Sequence, residues 1–492
     1  MGGLIPELRS STGDIPMSTM RGFASSIKGI FGDLLAYKSG IIGLIFLLLL
    51  VILSVYTIIA IPMDKAIAMW RGEGDMWIEN PRVAPPEWIQ FFVGKNLPKT
   101  MKFDSREIGL TTAKSSAPVV GTNIKKVHIE FTFTFDYDDF PSELNMFFSS
   151  NFSRQAGAPI ITIKWVKPSG EEINLGDYYM SDNKYNIYFV IDPITRAFVS
   201  YVRQHYGIDP SDRITNMQFL FGKFTKESLQ TGNMEVEKGQ YKVIIDATVF
   251  GDADLDCRMI VYGDVYGIAG TDHLRRPLEI ALLWGAPVAL AFGLTASLVT
   301  TFAEMIIATI SGYYGGILDS IIQRVTEIYM VLPFLPFLIL ISVFYGLNIW
   351  TLLAVVIILS IFGPGIKSTR ALVMQIKEYP YVEAARTYGA SDLRIIFLYI
   401  IPKILPPVVP GLISAVPGYV FLEAALAILG LGDPSLPTWG KIINDAFEQG
   451  ALYKGYFYWV LEPSAFLIFT GLAFAMLGFA LDRIVNPRLR QM

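Results

Sequence analysis

The sequence predicts an α-helical membrane protein of six transmembrane helices, with a β-rich, sandwich-like body placed between the first and second of them. Three observations carry this expectation. Of 492 residues, 52% are hydrophobic and only 17% charged, where soluble domains run nearer ~25% charged. Apolar runs long enough to cross a bilayer occur once near the beginning and then only beyond residue 277. The stretch between them, 62–277, carries 24 of the 40 Lys and Arg and 28 of the 44 Asp and Glu. The net charge of -4 gives no basic excess for nucleic acid. The lone Cys257 offers no intrachain disulfide, and with three His there is no zinc spacing.

Residues 1–40 read as a cytoplasmic N-terminal segment. The first span, Ile41–Ile61, is uncharged and 21 residues long, about 31 Å as a helix and so enough for the hydrocarbon core. Forty residues precede it and it exceeds a normal signal-peptide core, so it reads as a retained anchor. Five further apolar segments follow within 278–492, at Leu278–Ile310, Ser320–Tyr345, Ile349–Pro364, Leu405–Leu431 and Trp459–Leu481. The first of these is too long for one simple span and is expected to carry an interfacial piece. Orientation follows from the basic residues of short loops. The loop 366–404 holds Lys367, Arg370, Lys377, Arg386, Arg394 and Lys403 against three acids, whereas 433–462 is acidic. Six crossings with both termini cytoplasmic satisfy this and place 62–277 outside the cell.

Within 62–277 the pattern is mostly that of strands. Val127 to Phe135 alternates apolar and polar residues, as do Ile161, Ile163 and Trp165, and Tyr241 through Val249. One helix is expected over Thr195–Tyr206, closed by Gly207. Asp252, Asp254 and Asp256 resemble a calcium loop, but Cys257 and Gly263 stand where that loop needs Gly and Glu, so an acidic turn is expected. Asp136, Asp138 and Asp139 read as a solvated strand end. Asn151-Phe152-Ser153 is a glycosylation triplet. His128, His205 and His273 are scattered, and no catalytic constellation is found. The body reads as a binding or docking module, and the chain as no enzyme.

The loop 366–404 contains Glu378-Tyr379-Pro380-Tyr381-Val382-Glu383-Ala384-Ala385-Arg386-Thr387-Tyr388-Gly389-Ala390-Ser391. Pro380 suits a first helical turn and Gly389 a stop. The two turns between are too short to be stable alone and need a packing partner. Ala384 and Ala385 present little bulk, so another surface could approach closely, and Ser391 could cap the next helix.

Glu383-Ala384-Ala385, three residues, Gly389, and Ile401-Pro402 thirteen residues later resemble the signature loop of ABC importer permeases, whose usual Ile-x-Leu-Pro ending reads Tyr399-Ile400-Ile401-Pro402 here. Other segments resemble the dipeptide/oligopeptide/nickel class, specifically its second, C-type permease. They are Gly270-Thr271-Asp272 followed by Arg275-Arg276-Pro277, which loses the family's Gly and last Asp; Gly312-Tyr313-Tyr314-Gly315-Gly316 with Asp319; Arg324 with Glu327; Glu423 with Leu426 to Gly432; Pro437-Thr438-Trp439-Gly440; and the tail at Leu477-Gly478 and Asn486-Pro487-Arg488. The resemblance covers 263–492 well and 38–61 weakly, and the large extracytoplasmic insert has no counterpart in it.

The resemblance implies a type I importer permease fold and a permease subunit forming half of a pore for oligopeptides or oligosaccharides. Its implied partners are a homologous second permease, two ATP-binding cassette subunits and an extracytoplasmic solute-binding protein. It also implies that the 380–389 helix couples to the ATPase through Tyr381, Glu383, Ala384, Ala385, Arg386 and Gly389. No cofactor is expected in this chain. Gly222-Lys223 and Gly440-Lys441 lack the phosphate-loop spacing and hydroxyl, so ATP and Mg belong to partner subunits. Pro406, Pro407, Pro410 and Pro417 are candidate kinks in the fifth span. Glu423, midway along that span, is expected to face the pore or a partner helix, with a structural contact favoured over cargo binding. An ion-coupled secondary transporter, or a membrane-anchored receptor using the β domain, are the competing readings.

Overall fold

The computed structural model describes residues 33–72, 75–153, 157–190, 192–346 and 348–485. The first 32 residues of the expected N-terminal segment and the Asn486-Pro487-Arg488 motif lie outside the described residues. The chain divides into two compact units. One comprises residues 1–66, 282–445 and 463–492, and the other 67–281 and 446–462.

The second unit is built on nine strands: β1 (Met101–Asp104), β2 (Thr112–Pro118), β3 (Ile124–Phe135), β4 (Glu143–Ser150), β5 (Ile160–Val166), β6 (Glu172–Tyr179), β7 (Lys184–Tyr188), β8 (Gly239–Phe250) and β9 (Leu255–Tyr262). They form two antiparallel sheets, of order β1-β9-β4-β7 and β2-β3-β8-β5-β6. The alternation read at 127–135 points Val127, Ile129, Phe131, Phe133 and Phe135 to one face of β3, and all five are buried. Opposite residues of β8, with Ile161, Ile163 and Trp165 of β5, share that face. Leu144, Met146, Phe148, Met259 and Val261 from the other sheet complete a single apolar core, so the unit is a β-sandwich. The expected helix is present as Asp192–Tyr206, three residues longer at its start, with Ile194, Phe198 and Val202 buried along one face. Gly207 stops it in the left-handed conformation. Two short helices, Asn216–Phe221 and Lys226–Thr231, each carry a capping box, set by Thr215 and Thr225.

The acidic stretches of this unit are paired with lysines. Asp254 and Asp256 both bind Lys114, and Asp136 and Asp138 both bind Lys238. No group of three or more His, Cys, Asp or Glu that could hold a metal is found among the described residues. His128 faces Asp246 across the β3–β8 pair, and His273 stacks on Trp459.

Lys167 is the unusual charge of the sandwich. It is 2% exposed, with Nζ donating to the Gly222 carbonyl at 2.5 Å, 3.1 Å from the Phe224 ring centroid and 4.0 Å from Glu237. Burial pushes the ammonium down to about 7, against the opposing pull of Glu171 and Glu237. Between pH 7 and its ordinary value of 10.5 the unfolded chain therefore binds the extra proton, and folding stability rises with pH across that window. The penalty is present in full below pH 7. The expected result is stronger hydrogen-exchange protection of β5 and β8 amides at pH 9.5 than at pH 7, after correction for intrinsic exchange rates, and loss of that difference in Lys167→Met. An equal difference in the variant would remove Lys167 as its source.

The Gly270-Thr271-Asp272 motif forms a knot in the same unit. Asp272 is fully buried and accepts from the Arg276 Nε at 2.5 Å and from the backbone N–H groups of Arg276 and Leu274. The Thr271 hydroxyl donates to the Pro81 carbonyl and accepts from the Ala84 N–H. Arg275, where the resembled pattern has Gly, adopts a left-handed φ of 65°. Its guanidinium offsets that strain by donating to the Asn80 carbonyl and to Glu143 of β4, both at 2.6 Å.

The first unit is helical. Among the described residues four helices are long and apolar enough to cross a membrane: Lys38–Ala60, Leu278–Tyr314, Asp392–Ile428 and Tyr458–Val485. Two bent pairs raise the count to as many as six if each is one span: Gly316–Val331 with Phe334–Tyr345, at 79°, and Ile349–Ser360 with Gly365–Ile376, at 49°. These helices are named α1 (Lys38–Ala60), α2 (Leu278–Tyr314), α3 (Gly316–Val331), α4 (Phe334–Tyr345), α5 (Ile349–Ser360), α6 (Gly365–Ile376), α7 (Pro380–Thr387), α8 (Asp392–Ile428, with a π turn at Ile396–Ile400) and α9 (Tyr458–Val485).

Several sequence expectations are corrected here. The segment at 278–310 is part of one continuous 37-residue helix, Leu278–Tyr314, which contains Pro287. The segment 320–345 is two helices broken at Leu332-Pro333, because proline disfavours helix in the residue before it. The loop 366–404 is mostly helix. The span placed at 405–431 begins as early as Asp392, and its four prolines leave it one helix. Its irregularity is instead the π turn just ahead of Pro402.

Candidate functional site

The helix α7 is short, and tertiary contacts hold it. Pro380 occupies its first turn. The Tyr388 N–H bonds to the Ala384 carbonyl, and the N–H groups of Gly389 and Ala390 bond to the carbonyls of Arg386 and Ala385. Gly389 closes this turn at a φ of 80°, a conformation that a Cβ would strain. Val382 and Ala385 are buried in a cluster with Met305 and Tyr313 of α2, Val373 and Ile376 of α6, and Ile395, Ile396, Ile400 and Ile404 of α8. A two-turn helix is thus seated on α2, α6 and α8.

The residues picked from sequence separate onto two faces. Glu383, Ala384, Arg386 and Gly389 are exposed, together with Thr387 and Tyr388. Tyr381 is half-buried beside Tyr379. Ala385 is buried, so its small size serves packing within this chain, and only Ala384 of the two alanines lies on the open face. Ser391 stands at the N-cap of α8, but its side chain makes no capping bond.

Polar contacts tie this seat to the long helices. The Tyr313 hydroxyl donates to Asp392 at 2.6 Å, and the Arg386 guanidinium lies 5.8 Å from the Tyr313 ring centroid. Arg370 of α6 forms a two-pronged pair with Asp319 of α3, whose carboxylate also accepts from Ser311. A planar guanidinium fork matched to a carboxylate fixes direction as well as distance. The inner-loop motif at 312–319 therefore ends on the residue that clamps α3 to α6.

Glu423 is 5% exposed and hydrogen-bonded by Thr438. It does not line the principal cavity of this unit. Trp439 of the Pro-Thr-Trp-Gly motif is equally buried, donating its Nε1–H to the Leu282 carbonyl at 2.8 Å and stacking on Phe466. Both motifs pack the helices from within.

The cavity itself, about 680 Å³, is bounded by α2, α3, α4, α5, α6 and α8. Its one carboxylate is Glu304, which accepts from the backbone N–H groups of Gly363 and Gly365 at the bend between α5 and α6. A Cβ on either glycine would stand 2.4 Å or less from a Glu304 oxygen, so only glycine admits this approach. Sequence reasoning singled out Glu423 and not Glu304. The available signals were a carboxylate within an otherwise apolar helix and the Gly-Pro-Gly at 363–365.

The sequence profile of the binding-protein-dependent transport system inner membrane component family matches residues 304–491. The dipeptide transport system permease protein of Bacillus subtilis is 32% identical over 223 residues, 45% of this chain and 69% of that protein. The chain belongs to this permease family. The oligopeptide transport system permease protein of Bacillus subtilis is 29% identical, over 45% of this chain and 72% of that protein. The glutathione transport system permease protein of Pectobacterium atrosepticum is 29% identical with the same coverages. A solved structure of the inward-facing MetNI methionine ABC transporter matches at 21% identity, over 42% of this chain and 96% of that one, with a TM-score of 0.30. That score is too low to support a statement about shape. The permease is thus a multi-pass membrane subunit of an ABC importer, combining helical apolar spans with a β-rich region that lies outside the matched residues.

Proposed function

We propose that the permease is the C-type subunit of a peptide importer, driven by ATPase subunits that dock on α7. The observation that carries this is the split of α7 into a buried face, Val382 and Ala385, and an open face formed by Glu383, Ala384, Arg386, Thr387 and Tyr388. A two-turn helix anchored on three long helices transmits a push without melting, which is what a lever requires. Tyr381 and Gly389 set its ends. Peptide cargo is favoured because the named relatives carry dipeptides, oligopeptides and glutathione. Glu423 acts as a buried polar contact to Thr438 rather than on cargo, consistent with its burial.

The proposed arrangement has six crossings, each bent pair counting as one, with both termini cytoplasmic. Residues 1–40 precede the first span at 41–61, residues 62–277 form an extracytoplasmic domain, and 278–492 form the five-helix core. A second permease completes the pore, two ATPases supply the energy, and a solute-binding protein delivers cargo. The test is gentle affinity purification of tagged chain from its native membranes, followed by mass spectrometry. Recovery of a second permease, ATPase and binding protein is the expected result. Recovery of the chain alone, active in liposomes without ATP, would overturn the reading in favour of a secondary transporter.

A further inference from the structure

The cavity beside Glu304 has a one-sided chemistry. Its walls are mostly apolar and hydroxyl-bearing, from Tyr329, Phe334, Phe362, Ser360 and Tyr419 among others, and among the described residues no Lys, Arg or His lines it. Glu304 therefore has no cationic side chain beside it in this space. The two backbone N–H groups it accepts occupy only part of its acceptor capacity, since a carboxylate offers about four lone-pair sites. One helical turn away on the same face of α2, Thr300 also lines the cavity, and its Oγ1 is buried with no hydrogen-bond partner. Buried polar groups are as a rule satisfied, and the Thr300 hydroxyl is one that this chain leaves without a partner. The volume of about 680 Å³ falls within the range of small-molecule sites, ~300–1,000 Å³.

We propose that this cavity is an ammonium-binding subsite, in which Glu304 and Thr300 receive the protonated primary amine of a peptide's amino terminus. A primary ammonium carries three N–H donors and no acceptor, matching a carboxylate and a hydroxyl that both accept. Tyr329 and Tyr419 line the same cavity, and an aromatic ring presented face-on attracts a cation. The carboxylate end of a peptide is repelled by Glu304, so the site orients its ligand amino end inward. The subsite follows from the cavity's own chemistry, and only the choice of a peptide as the source of the amine rests on the transport reading.

The test is carried out on native membranes containing the full chain with its associated subunits. A hydrophobic carbodiimide is added and the adduct at Glu304 is followed by mass spectrometry, with Glu304→Gln as the blank. Ala-Ala at millimolar concentration is expected to slow labelling at least ~5-fold, and N-acetyl-Ala-Ala to leave it unchanged. Thr300→Val, which keeps the shape and leaves the Gly363 and Gly365 contacts alone, is expected to raise the Ala-Ala concentration for half-protection about 5-fold, the scale of one hydrogen bond. Methylammonium protecting as well as Ala-Ala would support the ammonium site and assign it to free amines instead of peptides. Equal protection by the free and acetylated peptides, protection by neither, or no Glu304 adduct would overturn the proposal. Failure to recover importer subunits in the purification would leave this labelling result intact, so the two readings fail separately.

Discussion

Replacing Gly389 with proline is expected to abolish uptake while leaving the long helices folded. Gly389 sits at a φ of 80° and donates its N–H to the Arg386 carbonyl. Proline fixes φ near -65° and has no N–H, so the turn that ends α7 cannot form and the open face of the helix is redirected. A complementary change separates docking from folding. Glu383 is exposed on that face, and truncating such a residue ordinarily changes stability by no more than about 0.5 kcal/mol. Glu383→Ala is therefore expected to lower uptake and ATPase retention at unchanged thermal stability. The measurement is peptide uptake in cells, alongside the amount of ATPase recovered with the purified variant. Wild-type uptake in Gly389→Pro would remove α7 as the coupling element.

Asp272→Ala is expected to cost roughly 3–5 kcal/mol in the stability of the β-rich unit, the usual range when one partner of a buried ion pair is removed. The Arg276 guanidinium, 3.8 Å from the Trp70 ring, would lose the Asp272 carboxylate. Two backbone N–H groups would lose their acceptor as well. Asp272→Asn keeps a carbonyl acceptor and should cost less. Removing both charges together, as Asp272→Ala with Arg276→Met, is expected to recover part of the loss, because the two residues act as one contact. Denaturant unfolding of the solubilised chain, followed by tryptophan fluorescence, measures all three. A loss below about 1 kcal/mol in Asp272→Ala would show that water reaches the site and that the pair is not carrying the knot.

Features set by short-range periodicity were legible in the residues. The alternation at 127–135 could bury only one face, and β3 buries it. Pro380 and Gly389 bracket a helix because one pre-sets φ and the other permits its reversal, and α7 lies between them. Uninterrupted apolar runs gave helices at 38–60 and 458–485 within a few residues. Where proline or helix length intervened, the reading was weaker. Each proline removes one backbone donor from a helix, yet Pro406, Pro407, Pro410 and Pro417 are carried inside α8. At Leu332-Pro333, by contrast, the chain turns by 79°.

The chemistry of the site was not legible in the same way, because it depends on residues far apart in the chain. Nothing near Glu304 says that the backbone of Gly363 and Gly365 will meet its carboxylate, and nothing near Glu423 says that Thr438 will cover it. Ala384 and Ala385 are adjacent and chemically identical, yet one faces outward and the other is buried beneath Tyr313 and Val373. By itself the sequence determined the class of protein, the strands β3, β5 and β8, the bounds of α7, and the family. Composition, local periodicity and motif order are properties of neighbouring residues. Only the tertiary structure decided which face of α7 is open, that Glu304 rather than Glu423 stands in the cavity, and that Asp272 closes a knot. Each of those depends on burial, and burial is fixed only when distant segments pack.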